Sequence, residues 1–203
     1  MHAHRSLAVH GLSHGVGHDV RFAHPRRNVA ALGLQGGMRV ADFGAGSGAY
    51  TLALAERLEG SGRVYAIDVQ RDLLRRIANE AVRRGYKNVE VIWADLEVPR
   101  ASKLADTSID LVLISNLLFQ VPDKSLVLDE ARRIVKGSGH VAIIDWSDSP
   151  PAGGLRMGPL KEDVVKKEQT LALAEKAGLS LVREFPAGAH HYGLILRPVA
   201  KKV

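Results

Sequence analysis

Residues 39–51, RVADFGAGSGAYT, constrain this chain more than any other stretch: an apolar run ends in Asp42 and passes directly into Gly44, Gly46 and Gly48. Glycines at alternate positions let the backbone turn sharply, bring its N–H groups close to a ligand and open a helix whose positive end faces the same place. Twenty residues after Gly48 a second apolar run, RVYAID, ends in Asp68. A carboxylate at the end of the neighbouring strand accepts both hydroxyls of a ribose. The pairing predicts a bound nucleoside.

From Pro25 onward, strand-like and helix-like segments alternate. PRRNVAAL reads as a short helix opened by Pro25 and closed by Gly33, MRVADF as the first strand, and AYTLALAERLE as a helix stopped by Gly60 and Gly62. RVYAID is the second strand. RDLLRRIANEAVRRG is an amphipathic helix with Leu73, Leu74, Ile77, Ala78 and Ala81 on one face. NVEVIWAD and IDLVLIS are the third and fourth strands, KSLVLDEARRIVK a helix capped by Asp123, and HVAIIDW the fifth strand. After the loop SDSPPAGGLRMGP comes a helix around EQTLALAEKAG. Two strands follow, LSLVREF and HYGLILRP, separated only by PAGAH. That connection is too short for a parallel crossover, so the last two strands form an antiparallel hairpin. The fold class predicted is α/β: a Rossmann-like, doubly wound, mostly parallel seven-stranded sheet with an antiparallel C-terminal strand. Residues 25–203 form one domain in this reading, and residues 1–24, rich in His and Gly, a mobile leader or lid.

Composition excludes several chemistries. With no cysteine among 203 residues, disulfides, thiolate metal sites and cysteine nucleophiles are ruled out, and with them methylation of pyrimidine carbon through a covalent cysteine adduct. No run approaches about 18 apolar residues, and the N-terminus lacks a signal-type apolar core, so a soluble cytoplasmic protein is expected. The net charge of +6 would suit a nucleic-acid partner. Yet the basic residues are spread along helices whose apolar faces are built by other side chains, and they read as solvated faces. His2, His4, His10, His14 and His18 invite a metal reading, but Gly11, Gly15 and Gly17 oppose the helix it needs, so no metal site is assigned.

GAGSGA also satisfies the dinucleotide fingerprint G-x-G-x-x-A. Against a dinucleotide stand the aspartate before the first glycine, the terminal hairpin and the lack of a following substrate domain. A P-loop is excluded because no G-K-[ST] follows. As a whole, from about Met38 to Pro198, the pattern resembles the class I S-adenosylmethionine (SAM)-dependent methyltransferases, small-molecule type, including the ubiquinone/menaquinone-biosynthesis (type 11) enzymes.

That resemblance implies SAM as cofactor and S-adenosylhomocysteine as its product. Asp42, Gly44, Ala45, Gly46 and Gly48 would hold the methionine part, Asp68 the ribose, and Val69 would lie beside adenine. Asp95 would bond the adenine amino group with Leu96 packed nearby, and Ser115 falls in the family's fourth motif. Gly137 and Ser138 replace the usual proline and second glycine before the fifth strand, where a turn remains chemically reasonable. Ser115-Asn116-Leu117-Leu118 is not the [DNS]-P-P-[YFW] motif of amino-directed adenine and glutamine methyltransferases.

In open α/β sheets ligands bind beyond the carboxyl ends of the strands. The acceptor-side candidates are therefore Asn116, Phe119, Asp145, Trp146, His24 and Phe22, with His190, His191 and Tyr192 at the start of the last strand. Catalytic candidates are Asn116, His24, Asp145 and His191, and the sequence singles out no base among them. Trp93 and Phe119 read as core. A small-molecule acceptor is the leading expectation. Rivals are an RNA or protein methyltransferase, a nicotinamide-dependent reductase and a non-catalytic SAM-binding module, and oligomeric state is left open.

Overall fold

The computed structural model describes residues 23–149 and 158–199, so Phe22, the five N-terminal histidines and nearly all of the expected leader lie outside the described residues. Seven strands form one sheet in the order β3-β2-β1-β4-β5-β7-β6. They are β1 (Arg39–Phe43), β2 (Arg63–Asp68), β3 (Val89–Trp93), β4 (Ile109–Ser115), β5 (Val135–Trp146), β6 (Leu179–Pro186) and β7 (His191–Pro198). The helices are α1 (Pro25–Ala30), α2 (Ala49–Arg57), α3 (Arg71–Arg83), α4 (Lys124–Ile134) and α5 (Lys167–Lys176).

Strands β1 to β5 pair in parallel, whereas β7 runs antiparallel to both β5 and β6. The hairpin expected from its short connection is present. Because β7 inserts between β5 and β6, it is the only reversed strand in the described sheet, and the carboxyl end of β6 and the start of β7 share the edge where β1 to β5 end.

The period of two along each strand sorts side chains to two faces. Val40, Val64, Leu111, Leu113, Ala142 and Ile144 pack with Val29 of α1 and Tyr50 and Leu54 of α2. Their neighbours Ala41, Phe43, Ile67, Val112, Ile114 and Ile143 pack on the other side with Leu128, Ala131 and Ile134 of α4 and Ala174 of α5. Leu74 and Ile77 of α3 cover Ala45 and Ala66 on the first face. Leu54, Leu113, Ile114 and Leu128 are wholly buried, and burial of each such side chain contributes about 1.5–3 kcal/mol.

Two expectations are corrected here. The fifth strand begins at Val135, not His140, and the turn expected at Gly137 and Ser138 is absorbed as an irregularity. Ile109 pairs with Val135 but Leu111 with His140, so β5 carries three more residues than β4 across that step. Gly139 permits it: a Cβ there would stand 2.7 Å from the Asp110 carbonyl oxygen. Trp93 is not core but 51% exposed. β3 is an edge strand, and although Val89 and Val91 pack beneath α3, Trp93 lies level with the start of that helix. Its indole N–H donates to the Val69 carbonyl at 3.0 Å, and the Arg71 guanidinium stacks 3.7 Å from its ring centroid. Phe119 is half-buried against the core, as read. Among the described residues, no helix is long and apolar enough to cross a membrane and no group of His, Asp and Glu is arranged to hold a metal.

The final hairpin holds one contact with no room to spare. Phe185 lies directly opposite Gly193, and a Cβ on Gly193 would meet three ring carbons at 2.7–2.8 Å. Gly193→Ala is expected to lower stability by about 1–3 kcal/mol through overpacking, read as a shift in the urea midpoint. An unchanged midpoint would mean that the ring does not sit there.

Candidate cofactor and acceptor site

Alternation along β1 turns Val40 and Asp42 toward α2 while Ala41 and Phe43 face α4. Asp42 is thereby buried, and its Oδ2 accepts the Thr51 hydroxyl of α2 at 2.6 Å. Its Oδ1 has no hydrogen-bond partner among the described residues. Burial pushes the Asp42 carboxyl up to about 7; the Thr51 bond opposes the rise and the charge of Asp68 adds to it.

The loop beyond Asp42 divides its glycines between packing and openness. A Cβ on Gly44 would strike Leu117 at 2.8 Å, and one on Gly48 would strike Ile77 at 2.5 Å. Gly46, at φ +53°, would meet nothing closer than its own loop's Gly44 carbonyl at 3.8 Å. The first and third glycines thus let the chain pass under its neighbours, and the middle one faces open space. Gly44 and Ala45 donate their amides to the Ile67 carbonyl at 2.9 and 3.0 Å, and Gly46 donates to Asp68 Oδ2 at 2.8 Å. Gly48, at φ +82°, caps α2 and supplies no side chain to its first-turn amides.

Asp68 closes the site from β2. Its Oδ1 accepts the Gln70 amide at 2.8 Å, so each oxygen holds one backbone N–H. An ionised carboxylate has about four acceptor positions, which leaves two for a ligand. Val69 beside it is 48% exposed, its carbonyl clamped by Trp93. Asp95 accepts the Glu97 amide at 3.0 Å in the turn after β3, and the Leu96 side chain is buried in the core. Ser115 ends β4, buried, and Asn116 follows at φ +51°. A left-handed asparagine at a strand end is an uncommon conformation of the kind that collects at functional sites. Its side-chain oxygen is buried without a partner among the described residues.

The remaining candidates separate by what already holds them. Asp145 is buried, with Oδ2 accepting the Leu118 amide at 3.0 Å and Oδ1 the Trp146 amide at 2.8 Å. Burial pushes its carboxyl up to about 7 although both amides oppose it. It fixes the turn after β4 to the end of β5. His24 is exposed at the start of α1 and accepts the Arg27 amide at 3.4 Å. His190 bonds Asp148 at 2.8 Å. His191 is buried on Trp146, ring centroids 4.1 Å apart, and neither ring nitrogen has a hydrogen-bond partner among the described residues. An unpaired buried polar group costs about 1–3 kcal/mol, so Asp42, Asn116 and His191 mark the places where protein groups alone leave the edge unsatisfied.

One organising residue was missed in the sequence. Asn28, buried in α1, donates to the Tyr50 hydroxyl at 2.8 Å and the Ala187 carbonyl at 3.0 Å, tying α1 to α2 and to the hairpin turn. No local signal marks it, because a polar residue in a six-residue helix reads as surface.

The open glycine face, the orphaned Asp42 and Asn116 oxygens and the spare lone pairs of Asp68 suit a ligand rich in donors. SAM, with its ammonium group, ribose hydroxyls and adenine amino group, is such a ligand. A family model described as a methyltransferase domain matches residues 34–192. A demethylmenaquinone methyltransferase of Bacillus velezensis is 30% identical over 131 residues, 64% of this chain and 54% of that protein. An arsenite methyltransferase of Aquipseudomonas alcaligenes is 33% identical over 134 residues, 63% of this chain and 38% of that protein. The chain thus spans about half, or less, of these curated relatives. The crystal structure of a SAM-dependent methyltransferase from Aquifex aeolicus matches the fold with a TM-score of 0.75 at 28% identity, covering 86% of this chain and 89% of that one. The chain has the fold of that SAM-dependent methyltransferase and belongs to the methyltransferase-domain family.

Proposed function

We propose that the chain methylates a small-molecule acceptor at the carboxyl edge of its sheet, with Asp42, Gly44, Ala45, Gly46, Gly48, Asp68, Val69, Asp95, Leu96 and Ser115 holding the cofactor. The observation that carries this reading is the bond from the Gly46 amide to Asp68, which joins the open glycine to the one carboxylate at the end of β2. When bound, SAM supplies a methyl group on a sulfonium. The residues around it bind, orient and exclude water, and orientation alone contributes much of the rate in such a displacement. Asp42 and Asn116 offer unpaired oxygens to a cationic or N–H-bearing group, and Asp68 offers two lone pairs to hydroxyls.

Demethylmenaquinone and arsenite, named for the two relatives, are chemically unlike. The absence of cysteine leaves this chain no thiolate for a soft arsenic centre, which favours a hydrophobic organic acceptor of the quinone-precursor kind. The charge pattern supports a small molecule over RNA: Arg26 pairs with Glu56, Arg75 with Asp72, Arg83 and Arg84 with Glu80, and Arg100 and Arg133 with Asp106. Basic side chains so interleaved with acids make solvated faces and no phosphate track.

Calorimetric titration tests the reading. SAM and S-adenosylhomocysteine are expected to bind in the micromolar range and NADH not to bind. Asp68→Ala should weaken the sulfur nucleosides tenfold or more, in line with loss of charge-assisted bonds of about 1.5–3 kcal/mol. Binding of NADH alone would overturn the proposal.

A second prediction follows from Asp42. Its carboxyl is raised from 3.8 to about 7, so the folded state holds a proton that the unfolded state releases, and this contribution to stability is present at acid pH and lost as pH rises through about 7. Asp42→Asn removes that loss, and its stability relative to the parent protein should increase between pH 5 and pH 8 in urea titrations. A cationic ligand held by Asp42 also favours the charged carboxyl. SAM binding near pH 7 should therefore release protons, seen as a binding enthalpy that changes with the buffer's heat of ionisation, and Asp42→Asn should abolish the change.

A further inference from the structure

Asp68 and Trp93 are register partners at the ends of β2 and β3, so their side chains leave the sheet side by side. They do so on the face that carries α3, since Ala66 and Val91, two residues earlier on each strand, pack beneath that helix. The Ala94 amide donates to the Asp68 carbonyl at 3.1 Å and continues the ladder past them.

The core does not hold Trp93. It is 51% exposed and stands outside the apolar clusters of the described residues. Two polar contacts fix it instead. The guanidinium of Arg71, the first residue of α3, covers one face of the ring at 3.7 Å, and the indole N–H donates to the Val69 carbonyl at 3.0 Å. That N–H is the only donor an indole has.

The other end of the same peptide unit is the Gln70 amide, which donates to Asp68 Oδ1 at 2.8 Å. A peptide is planar, with its C=O and N–H fixed on opposite sides. The indole and the carboxylate therefore grip one rigid plate from its two ends, and the bond at its carbonyl polarises the plate and strengthens the one at its N–H. Asp68 Oδ2 is held separately by the Gly46 amide at 2.8 Å, from a glycine loop that Gly44 and Ala45 tie to the Ile67 carbonyl. The carboxylate thus has two supports, one in the glycine loop and one that leads to Trp93. Without the indole bond the Val69–Gln70 plate turns about the single bonds on either side, and the support of Oδ1 goes with it. Hydroxyl donors approach a carboxylate near its own plane, so a turned carboxylate misaims at both hydroxyls of a ribose together.

Resting on the methyltransferase reading above, we propose that Trp93 is a positioning residue for the cofactor: acting through the Val69–Gln70 peptide, its indole N–H sets the plane of the Asp68 carboxylate and so the preference of the site for a ribose with both hydroxyls. Trp93 and Asp68 then act as one unit, and the effect of changing either depends on the presence of the other.

The test is calorimetric titration of the full chain with S-adenosylhomocysteine and with its 2′,3′-dideoxy analogue, the fold of each variant being checked by a cooperative urea transition. Trp93→Phe keeps an aromatic face for Arg71 and removes the donor. It should weaken S-adenosylhomocysteine about fivefold and the dideoxy analogue by less than about 1.5-fold. In an Asp68→Ala background the same change should weaken either ligand by less than about 1.5-fold. A purely structural role would weaken both ligands alike. Unchanged S-adenosylhomocysteine affinity in folded Trp93→Phe, an equal loss for the two ligands, or a loss that persists undiminished in the Asp68→Ala background would each overturn the proposal. If Trp93→Phe does not fold, exchange of the Trp93 indole N–H with water decides the matter in the 15N-labelled parent protein, whose two indole signals are told apart by Trp146→Phe. Saturating S-adenosylhomocysteine should slow that exchange about threefold or more relative to the saturating dideoxy analogue, and equal slowing would overturn the proposal. Failure of the unmutated chain to bind S-adenosylhomocysteine would overturn the methyltransferase reading instead.

Discussion

A parallel strand cannot return to its neighbour without crossing over the sheet, and that requirement organises this molecule. Each crossover, with a helix in all but the one from β3 to β4, covers one face and returns the chain so that every parallel strand ends at the carboxyl edge. The edge therefore gathers Asp42, Asp68, Asp95 and Asn116 although they are spread over more than seventy residues of chain. The single exception extends the rule. Because β7 is reversed and inserted between β5 and β6, its beginning, not its end, arrives at that edge and brings His191 with it.

The two buried aspartates show how one side chain serves different ends according to its partners. Asp145 has an amide on each oxygen and joins two elements as a polar cross-brace. Asp42, equally buried, has one oxygen on Thr51 and one on nothing among the described residues. Both carboxyls are raised to about 7 by burial, but only Asp42 has an oxygen with no partner among the described residues. A site that keeps such groups unpaired holds less stability than its packing would allow, and retains it in a form that a ligand can recover.

The glycine loop and Asp68 were legible in the sequence because both lie at strand ends, where a change from apolar run to Gly or Asp is a sharp signal. The final hairpin was legible because five residues cannot span a crossover. The early start of β5 was not: Gly137 and Ser138 carry turn chemistry, and only the close approach of Gly139 to the Asp110 carbonyl shows that the strand runs through them. Strand order decides the exposure of Trp93, and an aromatic residue in an apolar run looks alike on a central strand and on an edge. Asn28 and His191 depend on contacts from other elements, to Tyr50 and Ala187 in one case and Trp146 in the other. Local periodicity carries no trace of such partners.

The placement of the two tryptophans gives the molecule a built-in optical readout. Trp93 is exposed beside Val69, and its N–H is held by the backbone that follows Asp68. Trp146 is buried beneath His191, at the other end of the carboxyl edge. One indole is in water and stacked with a guanidinium, the other is screened from water and stacked with an imidazole, so their emission differs in colour and in access to quenchers. Events near Asp68 and events near His191 are therefore separable by intrinsic fluorescence, without a label.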